Sequence, residues 1–174
     1  MSKLKVGVVS DLYGVSQSDW WSYYTILFSN HDVTIFDSRN LASISSELSK
    51  EDSHDLFIKA GIEKAALKLA NYENFDVLIG LSVGGVIGWR AIHLGLSVNR
   101  FLAVSATRLR YENEIPQGDI TLLYGESDPY KPDDKWATDL KVNMKIIPNA
   151  DHNIYMQSEF IEKSIMPIAL KSGS

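Results

Sequence analysis

Six short runs rich in Val, Ile and Leu recur along the 174-residue chain, at Lys5 to Ser10, Asp32 to Phe36, Phe75 to Leu81, Phe101 to Ser105, Ile120 to Tyr124 and Met144 to Ile147. Each is nearly continuous in apolarity rather than alternating, the pattern of strands buried on both faces of a parallel sheet. Parallel neighbours need long crossovers, and the segments between the runs have helical length and period. Asp19 to Ser29 sets Trp20, Tyr24 and Leu27 at helical spacing. Asp55 to Ala70 carries Ile58, Ile62, Ala65, Ala66 and Leu69 on one stripe, with Lys59, Glu63, Lys64 and Lys68 mostly elsewhere. Val83 to Leu94, Asp133 to Leu140 and Ile154 to Leu170 complete the helices, and the serine-rich Asp37 to Ser53 predicts a long loop or short helix. The expected class is α/β, a sheet covered on both sides by helices in a three-layer sandwich.

A chain of this length fits one domain, residues 1–174, that buries roughly 70% of the surface exposed when unfolded. At 45% hydrophobic and 22% charged residues it has the composition of a globular protein. The net charge of -5 disfavours a phosphate backbone, so nucleic acid is not an expected partner. The absence of cysteine excludes disulfides, thiolate metal sites and a cysteine nucleophile together. The N-terminal MSKLKVGVVSDLYG has too short an apolar run for a signal peptide, and no stretch reaches the roughly 18 apolar residues of a membrane span. The expected location is cytoplasmic, with no membrane span.

In an open parallel sheet, reactive groups belong at the carboxyl ends of strands, where the chain turns into the next helix. Gly80-Leu81-Ser82-Val83-Gly84 lies at such a corner and matches GxSxG. A tight strand-to-helix turn brings the backbone two residues before and two after the serine together, leaving room for glycine only. The Ser82 Oγ is thereby turned outward, and the Val83 N–H points off the first helical turn, where the dipole favours a developing oxyanion. A glycine corner that merely packs helix on sheet is the structural alternative.

A serine hydroxyl needs a base within reach, usually a histidine oriented by a carboxylate. His93 falls inside the helix after Ser82, His31 precedes a strand at the opposite edge, and His54 lies before a helix in the polar stretch, in an exposed or capping role. His152, in MKIIPNADHN, closely follows the last strand and is the candidate base. Asp128, in ITLLYGESDP, is the candidate orienting acid, with Glu126 and Asp151 as rivals.

The chain order Ser82, Asp128, His152 is that of the α/β-hydrolases. With the elbow GLSVGG, the acid turn YGESDP and the histidine turn PNADHN, the sequence resembles a minimal α/β-hydrolase over nearly its whole length. It is most similar to the small lidless serine hydrolases, where a short first strand runs into an aromatic helix like DWWSYYTIL. The resemblance implies a mostly parallel six-stranded sheet of order 2-1-3-4-5-6 without a cap domain. It also implies that the loop Ser10 to Gly14 supplies a second oxyanion amide, Leu12 N–H, with Tyr13 in reserve. Ser10-Asp11 departs from the His-Gly often found there, and Asp151 from the glycine frequent before the histidine.

Between Ser105 and Ile120 there is too little chain for a helical lid, so Ser82 should be open. Tyr13, Tyr130 and Met156 are expected near the mouth, suiting an apolar acyl or alcohol group. Arg108 and Arg110 either meet an anionic substrate tail or are surface charges. The expected chemistry is acyl transfer from a small-molecule carboxylic ester, or a thioester, without metal or organic cofactor. The competing function is a non-catalytic ligand-binding or interaction protein on the same scaffold. A flavodoxin-like nucleotide binder is weaker, because no phosphate-binding glycine motif follows the first strand.

Overall fold

A computed structural model describes residues 2–171. Strands β1 (Lys5–Val9), β2 (Asp32–Phe36), β3 (Phe75–Leu81), β4 (Val98–Val104), β5 (Asp119–Gly125) and β6 (Asn143–Ile147) form one sheet in the order 2-1-3-4-5-6. Every neighbouring pair is parallel. The order reverses between β1 and β3, whose register pairs Val9 with Gly80. The loop after β1 and the corner after β3 therefore flank the switch point, where ligands bind in open sheets.

The helices are α1 (Trp21–Leu27), α2 (Ser38–Ala42), α3 (Lys50–Leu56), α4 (Ile62–Ala70), α5 (Val83–His93), α6 (Asp134–Leu140), α7 (Ser158–Phe160) and α8 (Met166–Ala169). On one face of the sheet, side chains from α2, α4, α5 and α6 pack on Phe101, Ala103, Ile120, Leu122 and Tyr124. On the other, α1 and the C-terminal helices pack on Leu102, Val104 and Leu123. Alternate residues of β4 and β5 thus enter opposite cores, which is why Phe101 to Val104 and Leu122 to Tyr124 are apolar without a break.

Two helices differ from expectation. The helix expected from Asp55 begins at Lys50, because Ser49 accepts the Asp52 N–H and caps it, with Glu51 and Asp52 in the first turn. A π-helical turn, Phe57–Gly61, joins α3 to α4. Ile62, Ala65, Ala66 and Leu69 keep the expected buried stripe. The wider turn shifts the phase, so that Phe57 is buried and Ile58 is not. The segment expected as one helix from Ile154 instead starts as a 3-10 turn, His152–Met156, and becomes helical at Ser158 with a second π-helical turn at Ile161–Ile165. Between Val104 and Asp119 the only helical piece is the 3-10 turn Leu109–Tyr111. No helix among the described residues is long and apolar enough to cross a membrane.

Candidate active site

The corner at Ser82 is built by exclusion. A Cβ on Gly80 would sit 2.5 Å from the Gly84 carbonyl oxygen, and one on Gly84 would sit 2.3 Å from that of Val9. With no side chain at either place, α5 springs directly from β3 and leans on β1. Ser82 takes φ 53 and ψ -117, a conformation that L residues rarely adopt. Its N–H donates to Val104 O, and its carbonyl accepts from the Gly85 and Thr107 N–H groups, so the strained residue is clamped.

Ser82 Oγ lies 3.1 Å from His152 Nε2, and His152 Nδ1 lies 3.0 Å from Asp128 Oδ2. A carboxylate can only accept, so Nδ1 carries the proton and Nε2 is left to accept from the serine hydroxyl. Asp128 is 1% exposed, and its other oxygen accepts the Tyr130 N–H at 2.8 Å. The two rivals are engaged elsewhere: Asp151 accepts the Asn153 N–H and caps the 3-10 turn, while Glu126 accepts the Asn149 N–H. Gly125 lets the acid and histidine turns meet, since a Cβ there would be 2.4 Å from both the Ala150 and Asp151 carbonyl oxygens. The His152 ring meets the edges or faces of Tyr130 and Tyr155 at 4.9 Å and 5.9 Å.

Opposite the serine, the Ser10–Gly14 loop is anchored by buried polar groups. Tyr13 N–H donates to Asp11 Oδ1 at 3.0 Å, Gly14 N–H to Asp11 O at 3.2 Å and Val15 N–H to Asp37 Oδ2 at 2.7 Å. Leu12 N–H has no protein partner among the described residues, while its carbonyl accepts from Arg39 Nε at 2.8 Å. Tyr13, the reserve donor of the second oxyanion amide, is thus already committed. Asp11 is 1% exposed and receives the Tyr155 hydroxyl at 3.0 Å. Burial pushes its carboxyl up to about 6, opposed by the Tyr155 hydroxyl, the Tyr13 and Gly14 amides and His152. Burial, and then Asp11, hold the Tyr155 phenol above its ordinary value, so it stays a neutral donor. Ser38 Oγ donates to Asp11 O, and Arg39, itself 2% exposed, also donates to the carbonyls of Ser45, Ser46 and Leu48 at 3.2 Å each.

These groups open into one cavity. Leu12, Phe57, Ile58, Ile62 and Val83 supply an apolar wall, and Tyr13, Tyr130 and Tyr155 line it with Ser82 and His152. Met156, expected at the mouth, does not line it: at the end of the 3-10 turn it is half-buried against the core on the α1 face of the sheet. His54, expected to be exposed or capping, is exposed but faces the cavity beside Lys50, since α3 begins one turn earlier than the pattern suggests. His93 meets Glu114 O, and His31 accepts the Leu4 N–H at the far edge of the sheet. Sequence reasoning also missed Asp11, Arg39 and Tyr155. The serine-rich stretch that holds Arg39 and the carbonyls it bonds carries no periodic signal. Among the described residues, no group of three or more His, Asp or Glu side chains is assembled to hold a metal ion.

No protein-family model and no curated protein matches this sequence. Solved structures do. An α/β serine hydrolase without lid from Xanthomonas campestris has a TM-score of 0.56 at 12% identity, over 95% of this chain and 81% of that one. An alpha-beta serine hydrolase homologue from Coxiella burnetii has a TM-score of 0.60 at 12% identity, over 93% and 83%. A dienelactone hydrolase-like promiscuous phosphotriesterase from metagenomic libraries has a TM-score of 0.63 at 17% identity, over 87% and 72%. With the strand order, the glycine-bounded corner after β3 and no helical insertion before β5, the chain has the α/β-hydrolase fold in its lidless form.

Proposed function

We propose that the protein is a serine hydrolase that cleaves carboxylic esters, with thioesters the second class. The observation that carries this reading is the unbroken hydrogen-bonded chain from Ser82 through His152 to the buried Asp128. In the proposed reaction His152 Nε2 takes the hydroxyl proton as Ser82 Oγ attacks the carbonyl carbon. Asp128 holds the ring and stabilises the imidazolium. The Val83 and Leu12 N–H groups receive the oxyanion in the tetrahedral intermediate. Its collapse returns the proton to the leaving alcohol or thiol and leaves an acyl group on Ser82. Water, deprotonated by the same imidazole, attacks the acyl carbon, and the second tetrahedral intermediate releases the acid and restores the serine.

Incubation with a fluorophosphonate, followed by mass spectrometry, tests this reading. One adduct on Ser82 is expected, lost in Ser82→Ala and strongly slowed in His152→Ala. An unlabelled Ser82 in the folded protein refutes the hydrolase and favours a ligand-binding protein on the same scaffold.

A further inference from the structure

The charges around the cavity are distributed unlike those of the rest of the chain. The protein carries a net charge of -5, yet Lys50, Arg108 and Arg110 all line the cavity that holds Ser82. Its one carboxylate side chain besides these is Asp11, which is buried and bonded to Tyr155. Lys50 enters from the first turn of α3, and the arginines from the loop between β4 and β5, so separate segments bring the same sign to one place.

These cations lack the partners that other surface arginines have. Arg90 pairs with Glu63 and Glu112, and Arg100 with Asp119. None of the ion pairs among the described residues involves Lys50, Arg108 or Arg110. The arginines are nevertheless held. Each guanidinium carbon lies 4.8 Å from the centre of the Tyr111 ring, one cation from each residue on the same aromatic. Arg110 also donates to the Tyr130 carbonyl at 3.2 Å, next to the ring that meets His152. Arg108 sits in the left-handed region at φ 67, which fixes the direction in which its side chain leaves the loop. Arg110 donates as well to the Tyr111 hydroxyl at 3.2 Å, which leaves the Arg108 guanidinium and the second N–H on each Arg110 terminal nitrogen for an oxyanion, and a planar guanidinium suits carboxylate or phosphate. Phe57, Ile58 and Ile62 line the same cavity.

We infer that the cavity selects esters that carry a terminal oxyanion, a carboxylate or phosphate, beyond a short apolar spacer, with Arg108, Arg110 and Lys50 as the specificity-determining residues. The inference rests on the hydrolase reading for turnover, but anion binding itself does not require it.

The test compares mono-4-nitrophenyl adipate with 4-nitrophenyl hexanoate, the same acyl length with and without a terminal charge. At low ionic strength, kcat/KM should favour the adipate by about tenfold or more, the scale of one charge-assisted hydrogen bond. That ratio should fall with added salt and drop several-fold in Arg108→Gln and Arg110→Gln, while Lys145→Gln, exposed on β6, leaves it in place. Binding is measured separately by calorimetry on Ser82→Ala with monomethyl adipate, hexyl phosphate and methyl hexanoate. Tighter binding of either anion supports the inference, and the tighter of the two identifies the head group. If the hexanoate is hydrolysed as well as the adipate and neither anion binds more tightly than the neutral ester, the anion inference is overturned while the hydrolase reading stands. Absence of all turnover with retained anion binding has the opposite meaning.

Discussion

At the scale of single residues, the site depends on backbone that is held away from its preferred state. A residue such as Ser82, at φ 53, costs of order 1–3 kcal/mol to hold. The clamp from Val104, Gly85 and Thr107 offsets it. The direction of the hydroxyl is thus set by the sheet and not by a rotamer choice alone. Asp128, Glu126 and Asp151 are the candidate acids for His152, and their hydrogen bonds separate them. Asp128→Asn keeps the shape but removes the acceptor that selects the Nδ1 tautomer, so kcat on an activated ester should fall by about 10⁴. Glu126→Gln, which keeps an acceptor for Asn149 N–H, should change kcat little. Steady-state kinetics of the two variants decides between the acids, and equal losses would remove Asp128 from its role. The placement of Ser82, Asp128 and His152 was legible because each follows a strand within a few residues. Asp11 and Tyr155 were not, because their bond spans 144 positions and neither residue type signals a buried pair.

At the scale of elements, the corner between β3 and α5 and the wall made by α3 and α4 differ in how plainly they are written. Glycine at fixed spacing is a direct record of close approach, so the corner is legible before any coordinates. A π-helical turn leaves no such record: Ile58 fits the apolar stripe by period, and only the phase shift at Phe57–Gly61 turns it from core to cavity wall. The glycines make a quantitative distinction. A Cβ at Gly84 would meet backbone oxygens of Val9 and Ser10 at 2.3 Å and 2.6 Å, atoms fixed in and just after β1. At Gly88 the nearest atoms belong to the Phe101 ring, a side chain that can shift by a few tenths of an ångström where backbone of the sheet cannot. Gly84→Ala should therefore cost about 3 kcal/mol, and Gly88→Ala within about 1 kcal/mol, partly offset by better helix propensity. Urea midpoints at unchanged slope measure both, and similar losses at the two sites would mean that β1 yields as readily as a side chain.

At the scale of the whole molecule, the buried Asp11 couples stability to pH. Its carboxyl rises from 3.8 to about 6 on folding because burial disfavours the charge more than Tyr155 and the loop amides favour it. The folded state therefore binds more protons than the unfolded chain between those values, and the unfolding free energy falls as pH rises across them. This contribution is fully present below pH 3.8 and is lost as pH passes about 6. Asp11→Asn cannot ionise, yet its amide can still accept from Tyr13 N–H and donate to the Tyr155 oxygen. The other carboxylates act alike in both proteins, so they cancel in the difference. The unfolding free energy of the wild type minus that of Asp11→Asn should decline by about 3 kcal/mol between about pH 4 and pH 7 and be flat above. Urea titrations at a series of pH values measure it. A difference that stays level, or rises, would show that Asp11 is ionised in the folded protein throughout, with the Ser10–Gly14 loop arranged around a carboxylate and not an acid.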